Sequence, residues 1–188
     1  MKTLRLANCF TPIFSAAKAG FADPGQRYES LAPALIDLLE AVSAAAGDMR
    51  LRLGSLEPST ITADFCRRAS TQPNLCPHFH LSMQSGCDDT LRRMNRKYDT
   101  ARFYESVSLL RQYFDRPAIT TDLITGFPGE TDDDFEKTMK LIDDVGFDAS
   151  FSFLYSARPG TPAAELHDDT PREVHTAVSY THLTLTTT

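Results

Sequence analysis

Ala118-Ile119-Thr120-Thr121-Asp122-Leu123-Ile124-Thr125-Gly126-Phe127-Pro128-Gly129-Glu130-Thr131 is the stretch on which the fold turns. Residues 118–125 are rich in β-branched side chains, which fit a pleated strand. The run stops at a Gly-x-Pro-Gly turn, residues 126–129. Thr131 and Asp134 then stand in the spacing of a capping box. Phe135, Met139, Ile142 and Val145 follow at helical intervals, as the inner stripe of an amphipathic helix. Residues 147–155 read as another strand, and the Pro/Gly-rich stretch 157–162 ends the regular region. A strand, a helix and a second strand in this order form a βαβ unit, which requires a parallel sheet.

The same alternation extends upstream. Leu31, Leu35, Leu38, Leu39 and Val42 share one helix face, with Ser30 placed to cap it, Pro33 in its first turn and Gly47 at its end. A strand is expected at 50–55, a helix at 60–70, a strand at 78–83 and a short helix at 88–95. Asp99-Thr100 opens another helix, with Phe103, Val107, Leu110 and Phe114 on its apolar face. The fold class read from this is α/β with parallel strands. Ligand sites in such sheets gather at the carboxyl ends of the strands.

Composition narrows the function classes. The 188 residues are 41% hydrophobic and 23% charged, as in an ordinary globular domain. No apolar run approaches the roughly 18 residues of a membrane-spanning helix, and the amino-terminal stretch, broken by Asn8, Thr11 and Pro12, does not read as a secretory signal. The expected location is the cytoplasm, with no membrane partner. The net charge of −6 argues against this chain alone being a main nucleic-acid grip, the segment 92–97 being a local basic exception. The four cysteines, Cys9, Cys66, Cys76 and Cys87, are too far apart for a compact zinc or iron–sulfur motif. No metal ligand and no catalytic residue is assigned.

Four strand ends carry chemistry. Glu57 lies beyond the first strand and before Pro58, where a carboxylate can accept from an amine or a ribose hydroxyl. Gln84 offers a donor and an acceptor at the end of the second strand. His80, within that strand, reads as a hydrogen-bonded interior histidine. Arg96 suits a carboxylate by bidentate hydrogen bonding, and helical spacing puts it on one face with Arg92. Asp122 shares a strand face with Ile124, and Gly126 and Gly129 let a flat ligand approach the backbone.

The ordered combination is more specific than its parts. Gly54-Ser55-Leu56-Glu57-Pro58 comes first, then Cys76-Pro77-His78-Phe79-His80-Leu81-Ser82-Met83-Gln84-Ser85-Gly86-Cys87-Asp88, then Leu91-Arg92-Arg93-Met94-Asn95-Arg96-Lys97-Tyr98. With the stretch 121–131 and Tyr155-Ser156-Ala157-Arg158-Pro159-Gly160-Thr161-Pro162-Ala163, this resembles the radical S-adenosylmethionine (SAM) tRNA methylthiotransferases. The branch it looks most like, the MtaB type, modifies N6-threonylcarbamoyladenosine-37 of tRNA. The branch acting on isopentenyladenosine shares the glycine turn but usually differs at Cys87.

The resemblance implies a partial (β/α) radical SAM barrel, incomplete on its amino-terminal side, with residues 29–172 as the carboxyl-terminal part of that domain. Residues 1–28 match poorly, and 173–188 read as a non-native or artefactual tail. Implied cofactors are SAM and [4Fe–4S] clusters, the implied partner is tRNA, and the implied reaction is methylthio insertion at C2 of the adenosine. By similarity, Arg96 meets the methionyl carboxylate, Gln84 and Asp122 the ribose, and Glu57 the amino-acid or sugar portion. Gly126 and Gly129 lie near the adenine. The family's Cys-x-x-x-Cys-x-x-Cys cluster loop is absent, so the chain by itself is expected to be inactive, with self-association through open sheet edges. Two alternatives stand beside this: another radical SAM enzyme such as a coproporphyrinogen oxidase-like protein, or a non-catalytic α/β module binding a nucleotide or a protein partner.

Overall fold

The crossover predicted from residues 118–155 is present in the computed structural model, which describes residues 24–166. Strand β3 (Ala118–Thr125) leads into helix α5 (Asp132–Val145) and returns as β4 (Ala149–Leu154), parallel to β3. The elements before them are α1 (Pro24–Ala46), β1 (Ser55–Leu56), a 3-10 turn (Pro58–Thr60), α2 (Ala63–Ala69), β2 (His78–Gln84), α3 (Asp88–Arg93) and α4 (Thr100–Tyr113). A second 3-10 turn (Pro162–Glu165) follows β4. The sheet runs β1-β2-β3-β4, all parallel and not closed. The expected segments 1–28 and 173–188 lie wholly or largely outside the described residues.

Local chemistry explains the caps. Thr131 Oγ1 accepts from the Asp134 backbone N–H, and the Asp134 carboxylate accepts from Thr131 N, completing the capping box. Asp99 caps α4 by accepting from Arg102 N. Two strand–helix readings need correction. Helix α1 starts at Pro24 rather than at Ser30, so Pro33 lies inside it and not in its first turn. A proline costs one intrahelical hydrogen bond, a cost this exposed position bears within a helix anchored by the buried Ile36 and Leu39. The strand expected at 50–55 shrinks to Ser55–Leu56 plus an isolated Leu51–Leu75 bridge. That segment is the sheet's edge, where only one neighbour offers backbone partners.

All the long helices bury their apolar faces on one side of the sheet. Ile36 and Leu39 of α1, Phe65 of α2, Phe103, Val107 and Leu110 of α4, and Phe135, Leu141, Ile142 and Val145 of α5 join Phe79, Leu81, Met83, Ile119 and Leu123 in one core. Burial of each such side chain stabilises by about 1.5–3 kcal/mol. In α5, Thr138 and Leu141 are buried where Met139 was expected, and Met139 packs only partly. The other face of the sheet is open. It presents His78, His80, Asp122, Ile124 and, on the edge strand, the exposed rings of Phe151 and Phe153.

Candidate functional site

Thr121 and Tyr98 shape the carboxyl end of β2, where the site begins. Leu81 pairs with Thr121 and Gln84 with Leu123, so β2 carries one extra residue, a bulge. The backbone groups displaced from the ladder find side-chain partners. Met83 N donates to Thr121 Oγ1 at 3.1 Å, and that hydroxyl donates to Leu81 O at 2.6 Å. Tyr98 Oη donates to Ser82 O at 2.6 Å and also lies 3.1 Å from Met83 O. The bulge leaves Gln84 buried with φ +66°, a left-handed conformation a non-glycine residue adopts only when its surroundings impose it.

Arg96 is not on α3, contrary to the helical spacing that put it beside Arg92. The helix ends at Arg93, and Asn95 follows in the left-handed region at φ +58°. Arg96 N then donates to Leu91 O and Asn95 N to Arg92 O, the paired bonds of a Schellman stop. This reversal swings Arg96 toward Glu57, with Arg96 Nη1 3.3 Å from Glu57 Oε1. Burial pushes the Glu57 carboxyl up in pKa, and the Arg96 charge and hydrogen bond only partly oppose it. Arg96 Nε is buried and has no partner among the described residues.

Gln84, Arg96 and Asp122 line one cleft of about 570 Å³, with Ile124, Phe153 and Tyr155 as its apolar wall. Its outer rim is Arg158, Thr161 and Ala163, from the chain after β4. Asp122 is held by His80, whose Nε2 lies 3.1 Å from Oδ2. Glu57 stands behind Arg96, outside the cleft lining. The Gly126–Gly129 turn closes the end of β3, both glycines having positive φ (71° and 77°). Gly126 N donates to Glu130 Oε2 at 2.6 Å, and Gly129 lies against the Arg93 guanidinium. Neither glycine lines the cleft.

Tyr155 carried no assigned role in the sequence reading. Its ring sits edge-on to Phe127 at 4.9 Å, and its Oη, like Arg96 Nε, is buried without a partner among the described residues. Its position at a strand end was the available signal. Gly86 was also passed over. A Cβ there would come 2.5 Å from Thr138 Cα, so only glycine lets α5 close onto the loop after Gln84.

A family model described as the radical SAM superfamily matches residues 27–142. The chain belongs to the radical SAM superfamily. It is 50% identical over 137 residues to a tRNA-2-methylthio-N(6)-dimethylallyladenosine synthase of Albidiferax ferrireducens, covering 73% of this chain and 30% of that one. A protein of the same name in Nocardia farcinica is 40% identical over 156 residues, 83% of this chain and 31% of the other. The chain thus spans about a third of the length of these curated relatives. Among solved structures, coproporphyrinogen III oxidase (HemN) of Escherichia coli superposes with a TM-score of 0.63 at 17% identity, covering 84% of this chain and 36% of the other. That likeness concerns the fold. The relatives carry the dimethylallyladenosine name, so they support the methylthiotransferase family but not the threonylcarbamoyladenosine branch suggested by Cys87.

The radical SAM cofactors, SAM and a [4Fe–4S] cluster, fit this chain unequally. Arg96 Nε and Tyr155 Oη are buried polar atoms without a partner among the described residues, and both side chains line the cleft together with Gln84. These suit SAM. A cluster needs thiolates grouped together, and among the described residues no group of three or more ligating side chains exists. Cys66 and Cys87 are buried and Cys76 half-buried, and burial pushes the Cys66 thiol up to about 12. The described residues do not hold the cluster.

Proposed function

We propose that this radical SAM chain supplies the SAM-binding half of a cytoplasmic tRNA methylthiotransferase. The observation that carries the reading is the convergence of Gln84, Arg96 and Asp122 on one cleft, with Glu57 paired to Arg96 behind it. Arg96 donates to the methionyl carboxylate, and Glu57, behind it, fixes the guanidinium. Gln84 and Asp122 bind the ribose hydroxyls, and Tyr155 and Phe153 supply an apolar wall of the cleft. When bound and reductively cleaved, SAM supplies a carbon-centred radical that abstracts hydrogen. This chain's residues contribute binding and orientation, and the cluster that delivers the electron lies with other parts of the protein.

The substrate reading follows the relatives: an N6-dimethylallyladenosine of tRNA, with threonylcarbamoyladenosine as the competing base. Open edges at β1 and β4, with Phe151 and Phe153 exposed on the unclosed sheet, support self-association of the isolated chain. The test is a chimera in which residues 24–166 replace the matching segment of the Albidiferax ferrireducens relative. Mass spectrometry of tRNA nucleosides from a host lacking its own methylthiotransferase should show 2-methylthio-dimethylallyladenosine, abolished by Arg96→Ala. A folded, iron-loaded chimera that modifies neither base would refute the reading.

A further inference from the structure

Five of the chain's 19 lysines and arginines fall between residues 92 and 102, in a chain whose net charge is −6. Four of them, Arg92, Arg96, Lys97 and Arg102, line a second cleft of about 550 Å³. Its walls come from the 3-10 turn after β1, from α3 and from the link into α4, so it opens beyond the carboxyl ends of β1 and β2. Arg96 lines this cleft and the first one alike, so the two meet at its side chain.

Two carboxylates, Asp88 and Asp99, also face the second cleft, and both are spent on the backbone. Asp88 Oδ1 accepts from Thr100 N at 2.8 Å, and Asp99 Oδ1 accepts from Arg102 N at 2.8 Å, so each satisfies a donor at the start of α4. The cations divide into held and available. Arg102 donates to Ile61 O at 2.7 Å and to Glu105 at 2.9 Å, and Arg96 is held by Glu57. Arg92 pairs with Asp89, but both side chains are exposed, and such a surface pair contributes little and yields to a better anion. Lys97 is exposed, donates to the neutral side chain of Asn95 at 3.0 Å, and makes no ion pair among the described residues.

We propose that the second cleft binds the phosphodiester backbone of an RNA strand whose target nucleoside is presented to the first cleft. Lys97 and Arg92 donate to phosphate oxygens, while the held guanidiniums of Arg96 and Arg102 add to the positive field there. Continuity between the clefts is what selects RNA. A strand that brings a nucleoside to the first cleft carries a phosphate on either side of it, and the neighbouring groove at Arg96 is where such a phosphate arrives. These contacts set the register and orientation of the strand and read no sequence. The negative charge of the rest of the chain repels RNA, so a local cluster of cations also directs where the strand lands. The identity of the strand rests on the tRNA-modifying reading above, whereas the placement of the cations does not.

The test titrates the full 188-residue chain with a fluorescein-labelled RNA hairpin carrying adenosines in its single-stranded loop. Fluorescence anisotropy is read at several potassium chloride concentrations, with circular dichroism confirming that each variant is folded. Lys97→Ala and Arg92→Ala should each weaken the hairpin by about fivefold, within the range of one net hydrogen bond. Each should also flatten the slope of log affinity against log salt by about 0.7, the share of one single-stranded phosphate contact. Lys97→Arg, which keeps the charge, should bind as the parent does. Lys140→Ala removes an equal charge from α5, outside both clefts, and should change neither affinity nor slope. A parent chain that does not bind the hairpin overturns the proposal, as do unchanged salt slopes in Lys97→Ala and Arg92→Ala, or equal losses in Lys97→Ala and Lys140→Ala. Poly-glutamate that displaces the label as well as unlabelled hairpin does would make the cleft a surface for acidic protein, and would overturn it too. The assay needs neither SAM nor a cluster, so it fails separately from the methylthiotransferase reading. Lys97-dependent hairpin binding beside an inactive chimera refutes only the activity, and an active chimera with Lys97-independent binding refutes only this surface.

Discussion

Replacing Gly86 with alanine puts a Cβ 2.5 Å from Thr138 Cα, 2.9 Å from Lys137 O and 3.1 Å from Leu141 Cβ. The first two neighbours are helix backbone, so no rotamer change relieves the overlap. Ordinary contact needs about 3.5 Å between carbons, so α5 must retreat by about 1 Å from the loop after β2. That retreat loosens Phe135, Leu141 and Ile142 against the core and stretches the 2.9 Å bond from Gly86 N to Thr138 Oγ1. Overpacking of this kind costs about 1–3 kcal/mol and a weakened hydrogen bond about 1 kcal/mol, so Gly86→Ala should destabilise by about 2–4 kcal/mol. Urea unfolding followed by circular dichroism measures it. Gly54→Ala is the control, because a Cβ there meets nothing within 4 Å and its φ is not in the left-handed region; it should change stability by less than about 0.5 kcal/mol. Equal midpoints for the two variants would refute the close-approach argument. Because Gly86 follows Gln84 so closely, the shift should also weaken any ligand that Gln84 touches.

Three further outcomes follow from the electrostatics. Glu57 is raised by burial, so its stabilising share is complete below the unfolded value of 4.5 and is lost as pH rises through the folded one; Glu57→Gln should therefore gain stability relative to the parent as pH rises, and a pH-independent difference between their melting curves would contradict this. Burial pushes the Asp134 carboxyl up, but the Cys87 thiol, the Thr131 backbone N–H and Lys137 outweigh it and hold the group below the usual carboxylate range. Its contribution is therefore present above the unfolded value of 3.8 and is lost as pH falls below it, and Asp134→Ala should cost about 2–3 kcal/mol at neutral pH in urea unfolding, through the cap and its buried hydrogen bonds. Burial pushes the Cys66 thiol up to about 12, so iodoacetamide at about pH 8 should label the half-buried Cys76 before Cys66 and reach Cys66 only on unfolding, as peptide mass mapping would show.

Much of the architecture was legible because it is written locally. The β-branched run 118–125, the Thr131–Asp134 capping box and the helix after it depend on neighbours within a few residues and appear where the sequence places them, although the buried stripe of that helix runs through Thr138 and Leu141 rather than Met139. Glu57 just beyond β1, Gln84 at the end of β2 and Asp122 within β3 were legible from the same local strand-and-turn pattern. Edge segments were less legible. The strand expected at 50–55 shortened because an edge receives hydrogen bonds from one side only.

What only the tertiary structure decided are the relations between strand ends. Arg96 leaves the helix of Arg92 because Asn95 takes a left-handed turn, and only then does it meet Glu57, far away in sequence. The β2 bulge, with its displaced backbone groups satisfied by Thr121 and Tyr98, sets the conformation of Gln84. Nothing in the composition of residues 78–84 predicts an extra residue whose cost is met from two other elements. The sequence by itself determined a parallel α/β chain of the radical SAM type and the residues at its strand ends. Packing determined which of those residues face one another, because register, helix stops and the approach of α5 over Gly86 are set by contacts between distant segments, not by the local preferences that a sequence displays.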